Sequence, residues 1–328
     1  MIAVTGATGH IGNVLVRQLV ESGEKVRVLV LDKSDKKDLK SLEGIEIEIV
    51  ECDIRDYDSV EKALKGARYV YHLAAIVSIV SGMEKLLYEV NVNGTKNIVN
   101  ACLRNKVKRL VYVSSVHALK ELTYGKRITE EIEMDESKVE GVYSKSKILA
   151  TKEVLKGIKQ GLDTVIVYPS GVIGPFDYKG SEMGKMIRSY LKGKMKFFIQ
   201  GGYNFVDVRD VASGMIMACK NGKNGEGYLL SGHEITVEAL FKLLNDIAKL
   251  GLPRIKVPLW IAKLSAGILD LLGRIFQFEP FFTPYAIHVL QTNYFMSNEK
   301  AKKEFGFSTR LLKDTLKDTI EWIKKNNL

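Results

Sequence analysis

Along the first half of the chain, short apolar runs alternate with longer stretches whose apolar residues recur every three or four positions. The runs Ile2 to Thr5, Val26 to Leu31, Ile45 to Glu51, Tyr69 to Leu73, Leu110 to Ser114 and Thr164 to Tyr168 are rich in Val, Ile and Tyr, and each is followed by a polar turn. That pattern predicts strands. The stretches Gly12 to Glu21, Ser59 to Lys65, Val92 to Asn105 and Ser144 to Lys156 carry the helical period. Strand and helix in regular alternation predict an α/β fold, a doubly wound parallel sheet. After Gly171 the regularity breaks into Gly-Pro, Gly-Gly and Asn-Gly turns, a short strand near Asn204 to Val208, and helices from about Val237 and Pro258.

Composition narrows the class. With 328 residues, 46% of them hydrophobic and 27% charged, the chain can bury a full core. Its three cysteines, Cys52, Cys102 and Cys219, are odd in number and widely spaced, which argues against a disulfide framework or a clustered zinc site; no metal is expected. A reducing compartment follows, and because Met1-Ile2-Ala3-Val4 already reads as a strand, a secretory leader is not expected and the protein is read as cytoplasmic. The net charge of +10 is spread among interleaved acids, and its densest run, Lys33 to Lys40, mixes signs and holds no aromatic residue for base stacking. Nucleic acid is therefore not an expected partner. The longest apolar stretch, Val257 to Phe278, contains Lys263, Asp270 and Arg274, so a packed or surface-lying helix pair is expected there, with no integral membrane span.

Candidate chemistry begins at Thr5-Gly6-Ala7-Thr8-Gly9-His10-Ile11-Gly12, between the first strand and the first helix. Glycines there permit a tight turn and close approach of a ligand to the backbone, and a helix N-terminus offers free amides to a diphosphate. Residues 1–170 are accordingly read as a dinucleotide-binding Rossmann domain, rejoined by about 201–232, and 171–328 as mainly a substrate-binding region. Asp32 lies about twenty residues past the loop, where a carboxylate binds the adenosine ribose and repels a 2'-phosphate. NAD is the cofactor expected, with NADP left open because Lys33 is adjacent. His72-Leu73-Ala74-Ala75 ends the fourth strand in small residues that would let the cofactor lie against the backbone at Leu73, Ala74 and Ala75, while His72 is read as structural.

Two Tyr-Xaa-Xaa-Xaa-Lys spacings occur among the 14 tyrosines. Tyr190 to Lys194 encloses Gly193 at a helix end, whereas Tyr143 to Lys147 opens an amphipathic helix after the fifth strand. On that helix residues four apart share a face, so Lys147 can sit beside the Tyr143 phenol and lower its pKa from about 10 toward neutrality. Ser115, at the end of the fifth strand, would orient the reacting oxygen.

The glycine spacing, the Tyr143–Lys147 pair and Ser115 resemble the extended short-chain dehydrogenases/reductases, the superfamily of NAD-dependent epimerases and dehydratases. The resemblance implies further cofactor contacts at Asp53 and Ile54 (adenine), at Asn91 in Asn91-Val92-Asn93-Gly94-Thr95, and along Tyr168 to Pro175, with Pro169 and Val172 beside the nicotinamide. Phe205 to Ala212 is a further, structural signature of the family, and the tail from Tyr294 to Phe307 looks similar to its C-terminal region. The turn after the sixth strand is nearest the dihydroflavonol reductase and 3-beta-hydroxysteroid dehydrogenase branch. Epimerases hold a sugar-nucleotide diphosphate with an Asn and an Arg where this chain has Gly171 and Tyr203, though Arg188 and Arg254 could substitute; dehydratases carry an Asp-Glu pair where this chain has Val116-His117. The expectation is hydride transfer between nicotinamide and a small-molecule ketone or secondary alcohol, in a pocket that Trp260, Phe281, Phe282 and Tyr285 could line. The alternatives are an epimerase of a sugar or nucleotide sugar and a non-catalytic dinucleotide-sensing regulator, the latter disfavoured by the intact Tyr143–Lys147 pair. A homodimer is allowed.

Overall fold

The computed structural model describes residues 1–77, 82–119, 122, 125–131, 134–250, 255–266 and 284–326. The six apolar runs form β1 (Ile2–Thr5), β2 (Val26–Val30), β3 (Glu48–Glu51), β4 (Tyr69–His72), β5 (Arg109–Val113) and β6 (Thr164–Pro169). With β10 (Gly227–Leu230) they make one seven-stranded sheet in the order β10-β6-β5-β4-β1-β2-β3, every neighbouring pair parallel. All four residues of β1 and all six of β6 are buried, as expected of strands covered on both faces. The expected doubly wound sheet is therefore present. β3 starts three residues later than its apolar run, because it lies at the sheet edge and much of it faces solvent.

Helices cover both faces. α1 (His10–Glu21) packs with Val14, Leu15 and Leu19 on one face. On the other, α2 (Tyr57–Ala63), α3 (Gly94–Arg104) and α4 (Val142–Lys159) contribute Val60, Ile98, Val99, Ala150 and Val154. Just before α3, residues 88–93 wind as a π-helical turn, an irregularity that apolar periodicity does not register. The strand order reverses between β1 and β4, and a doubly wound sheet opens its ligand crevice at the carboxyl ends of the strands there.

The second lobe holds a three-stranded sheet, β7 (Gly171–Ile173), β9 (Gly202–Asp207) and β11 (His233–Thr236), and a parallel pair, β8 (Phe197–Ile199) and β12 (Ile255–Val257). α5 (Glu182–Leu191), α7 (Val237–Ala248) and α9 (Leu312–Lys325) bury Ile187, Tyr190, Phe241, Leu244, Leu316 and Ile320 in a core of their own. The Tyr190 hydroxyl bonds Asn245 Oδ1 at 2.6 Å, so this tyrosine is part of that core. The chain returns to the first lobe twice. α6 (Val208–Asn221) packs Val211, Met215 and Ala218 beside α1, leading into β10, and α8 (Glu299–Phe305) adds Ala301 and Phe305 to the same core.

The apolar stretch from Val257 continues as helix over residues 259–266; the remainder to Phe278 lies outside the described residues. No helix among the described residues is long and apolar enough to cross a membrane. Trp260 is 70% exposed, which removes it from the expected pocket lining, while Phe281, Phe282, Arg254 and the Tyr285 side chain lie outside the described residues.

Candidate active site and cofactor cleft

The glycine loop is built by close approach. Gly6 has a φ of +68°, and a Cβ on it would stand 2.6 Å from the Ala74 nitrogen; a Cβ on Gly12 would stand 2.1 Å from the Gly6 oxygen, and one on Gly9 3.2 Å from that oxygen. Side chains there would push β1, β4 and α1 apart. α1 begins at His10 with no side-chain cap and no acid in its first turn, so its positive end is open to an anion. These residues fit a dinucleotide diphosphate. A second fit lies at the end of β6, where the buried Ser170 hydroxyl has no hydrogen-bond partner among the described residues.

Around this cradle the expected contacts divide. Thr5 Oγ1 accepts the amides of Leu73 and Ala74 at 3.2 and 3.1 Å and bonds His72 Nδ1 at 2.7 Å, tying the ends of β1 and β4 together. His72 Nε2 reaches Thr95 Oγ1 at 3.0 Å, and burial, aided by the Lys147 charge, pushes its pKa down to about 3. It is a neutral core histidine. Ala75 is half-buried beyond this clasp, and Ile11 packs against the core. His10 turns away from the loop and donates through Nε2 to the Pro175 carbonyl at 2.9 Å. The Asp32 carboxylate is exposed and accepts the Ser34 amide and hydroxyl at 2.7 and 2.6 Å, which hold it below the usual carboxylate range. Asp53 is paired with Arg55 through both oxygens, the closest contact 2.6 Å, while Ile54 is packed against Gly94. The Asn91 amide is fully engaged with the Ile76 backbone (2.8 and 3.0 Å) and Ser146 Oγ (3.0 Å), so it anchors the loop after β4 to α4. Pro169 is buried at the end of β6, and Val172 sits on β7 opposite Val206.

The three catalytic candidates converge where β5 ends against the first turns of α4. Lys147 Nζ donates to the Val113 carbonyl at 2.7 Å and lies 4.8 Å from the centre of the Tyr112 ring. Burial brings its pKa down to about 7. Ser115 Oγ accepts the His117 amide at 3.2 Å, and its own hydrogen remains for another acceptor. Tyr143 is half-buried one turn before Lys147, with the His117 ring edge-on at 6.3 Å between centroids. The motifs give His117 no role beyond marking a missing Asp-Glu pair; only the fold brings its ring to the tyrosine. Gly171 and Tyr203 stay with the second-lobe core: a Cβ on Gly171 would stand 2.9 Å from the Asn204 oxygen, and the Tyr203 ring stacks on Phe205 at 5.0 Å.

Residues 3–232 match the sequence profile of the 3-beta hydroxysteroid dehydrogenase/isomerase family. The chain belongs to that family. Membership makes it an enzyme of the extended short-chain dehydrogenase/reductase type, in the branch the turn after β6 suggested. Over 99% of its length it is 31% identical to the sterol demethylase protein B of Methylococcus capsulatus, covering 98% of that protein. It is 29% identical to the mouse (Mus musculus) sterol-4-alpha-carboxylate 3-dehydrogenase, decarboxylating, across 93% of this chain and 85% of that one. The crystal structure of gox2253 superposes with a TM-score of 0.86 at 34% identity, covering 99% of this chain and 98% of that one.

Proposed function

We propose that the protein catalyses reversible hydride transfer between NAD and a ketone or secondary alcohol, with Tyr143 exchanging the proton. The observation that carries this reading is Lys147: an ammonium withdrawn from water, with a backbone carbonyl as its hydrogen-bond acceptor, one helical turn from a phenol at the carboxyl end of β5. In its charged form a lysine so placed stabilises phenolate more than phenol and brings proton exchange toward neutral pH. Ser115 Oγ donates to the substrate oxygen and holds it at the Tyr143 hydroxyl. The cofactor, when bound, supplies or accepts the hydride, and the chain's part is to cradle its diphosphate at Gly6, Gly9 and Gly12, to engage its nicotinamide end near Ser170, and to favour the ribose of NAD at Asp32. The second lobe closes the substrate side. A sugar nucleotide fits less well, because Gly171 carries no side chain and the half-buried Tyr203 ring is stacked on Phe205, leaving a diphosphate without partners there.

Tyr143→Phe keeps the ring and removes the proton carrier. Turnover should fall by at least about a hundredfold while the NAD dissociation constant stays within about threefold. Steady-state kinetics on a panel of hydrophobic and steroid alcohols and ketones, followed by nicotinamide absorbance, reads the first quantity and calorimetry the second. Near-normal turnover in the variant would overturn the assignment.

A further inference from the structure

Residues 174–181, between β7 and α5, cross from the second lobe onto the start of α1. The Pro175 carbonyl accepts His10 Nε2 at 2.9 Å, the Phe176 carbonyl accepts Asn13 Nδ2 at 3.1 Å, and the Arg17 guanidinium lies over the Phe176 ring at 5.3 Å. Phe176 has a φ of +69°, a costly conformation for a residue with a side chain. What sustains the strap is the buried Asp177. Its carboxylate accepts the amides of Gly180 and Ser181 (3.1 and 2.8 Å) and the Ser181 hydroxyl (2.8 Å), with Arg188 at 3.7 Å.

Lys179 rides on this strap, and its position has no structural explanation in its own lobe. Its ammonium reaches back across the lobe boundary to Thr8 Oγ1 at 2.9 Å, inside the glycine loop, and to Asp38 on the short helix Lys36–Leu39 after β2. The loop from Thr8 to Gly12 cradles the diphosphate, and the carboxyl end of β2 faces the adenosine ribose. The strap therefore holds a half-exposed cation above the place where the adenosine half of a dinucleotide carries its phosphate charge.

We infer that Lys179 is a phosphate ligand of the cofactor, reaching the adenosine half of the dinucleotide from outside the Rossmann lobe. This rests on the dinucleotide reading above. When the cofactor enters, the ammonium exchanges its Thr8 contact for a phosphate oxygen, and Asp38 keeps it oriented over the loop. Two phosphates meet this chemistry: the bridging diphosphate common to NAD and NADP, and the 2'-phosphate of NADP alone. Cofactor binding would then also draw the strap, and with it the second lobe, against α1.

Calorimetry of the full chain with NAD, NADP and ADP-ribose, on wild type, Lys179→Ala, Lys179→Arg and a same-charge control, Lys192→Ala, tests it. Lys179→Ala should weaken binding about tenfold, the scale of one charge-assisted hydrogen bond, while Lys179→Arg and Lys192→Ala bind as wild type does. A loss shared by all three ligands assigns the lysine to the diphosphate; a loss confined to NADP assigns it to the 2'-phosphate. Unchanged affinities in Lys179→Ala, or an equal loss in Lys192→Ala, would overturn the inference while leaving dinucleotide binding intact. A wild-type chain that bound none of the three would overturn the dinucleotide reading itself, and this inference with it.

Discussion

At the scale of single residues, Lys147 sets the terms. A lysine whose pKa is about 7 in the folded chain and near 10.4 once unfolded binds fewer protons when folded throughout that window. Stability contributed by this residue therefore rises with pH between about 7 and 10.4; its cost is largest near and below pH 7, where the slope flattens once the buried amine is itself charged. Replacing Lys147 by Met removes that dependence. Urea midpoints for wild type and Lys147→Met across this window should show wild type gaining on the variant as pH increases, and a constant difference would refute the buried, depressed amine. The residues of this cluster were legible because their constraint is local: four positions along one helix, and a serine at a strand end. The residues expected at the ribose and adenine were legible only as types. Asp32 and Asp53 stand where the motif puts them, but Ser34 and Arg55, each two residues away, already satisfy their carboxylates, and sequence spacing carries no record of such local partners.

Among the elements, six of the seven parallel strands were read within a few residues because burial on both faces leaves near-continuous apolar runs, whereas β10, reached only after the second lobe, was not read as a strand. The short strands of the second lobe were not, apart from β9. β7, β8 and β12 are three residues each and take their order from neighbours far along the chain. The strap was equally hidden, since its sequence reads as a turn and its contacts with His10, Asn13 and Thr8 lie more than 160 positions away. One glycine lets it close. A Cβ on Gly184 would stand 1.9 Å from Asp177 Oδ2, so Gly184→Ala must displace the carboxylate that organises residues 177–181. The expected cost is about 1–3 kcal/mol of stability by overpacking, together with weaker cofactor binding as Lys179 moves off the loop. Thermal unfolding with and without NAD separates the two effects. An alanine variant with wild-type melting in both conditions would show that the strap tolerates displacement.

For the whole molecule, the lobes are joined through Asp207, at the end of β9. Its fully buried carboxylate takes Arg209 at 2.6 Å and the Thr315 hydroxyl of α9 at 2.8 Å, and Arg209 reaches Asp318 on α9 at 2.7 Å. Burial alone would raise the Asp207 carboxyl, but the bonds from Arg209 and Thr315 outweigh it and hold the group below its ordinary range. Its contribution is present above the unfolded carboxylate pKa and is lost as pH falls through the lower folded value. Asp207→Ala leaves Arg209 without its closest partner and should cost about 3–5 kcal/mol. Differential scanning calorimetry would register a large fall in melting temperature, and a change under about 1 kcal/mol would show that the network is not what joins α9 to the sheet.

The repeated return of the chain to its first lobe bears on how the protein could be cut or rebuilt. A fragment ending at Ser170 would hold the glycine loop, Ser115 and the Tyr143–Lys147 pair, yet it would lack β10, α6 and α8. The β6 edge would then present unpaired amides and carbonyls to solvent, and α1 would lose the helix beside it. Such a truncation is expected to aggregate, and limited proteolysis of the intact protein to release no soluble cofactor-binding piece of that length. The second lobe is accordingly not a module to be exchanged by splicing at one junction. The described second-lobe residues fall in three stretches, within 171–207, 231–298 and 308–326, and only the first two lead back into the larger lobe, so a graft would need two inserts and a tail.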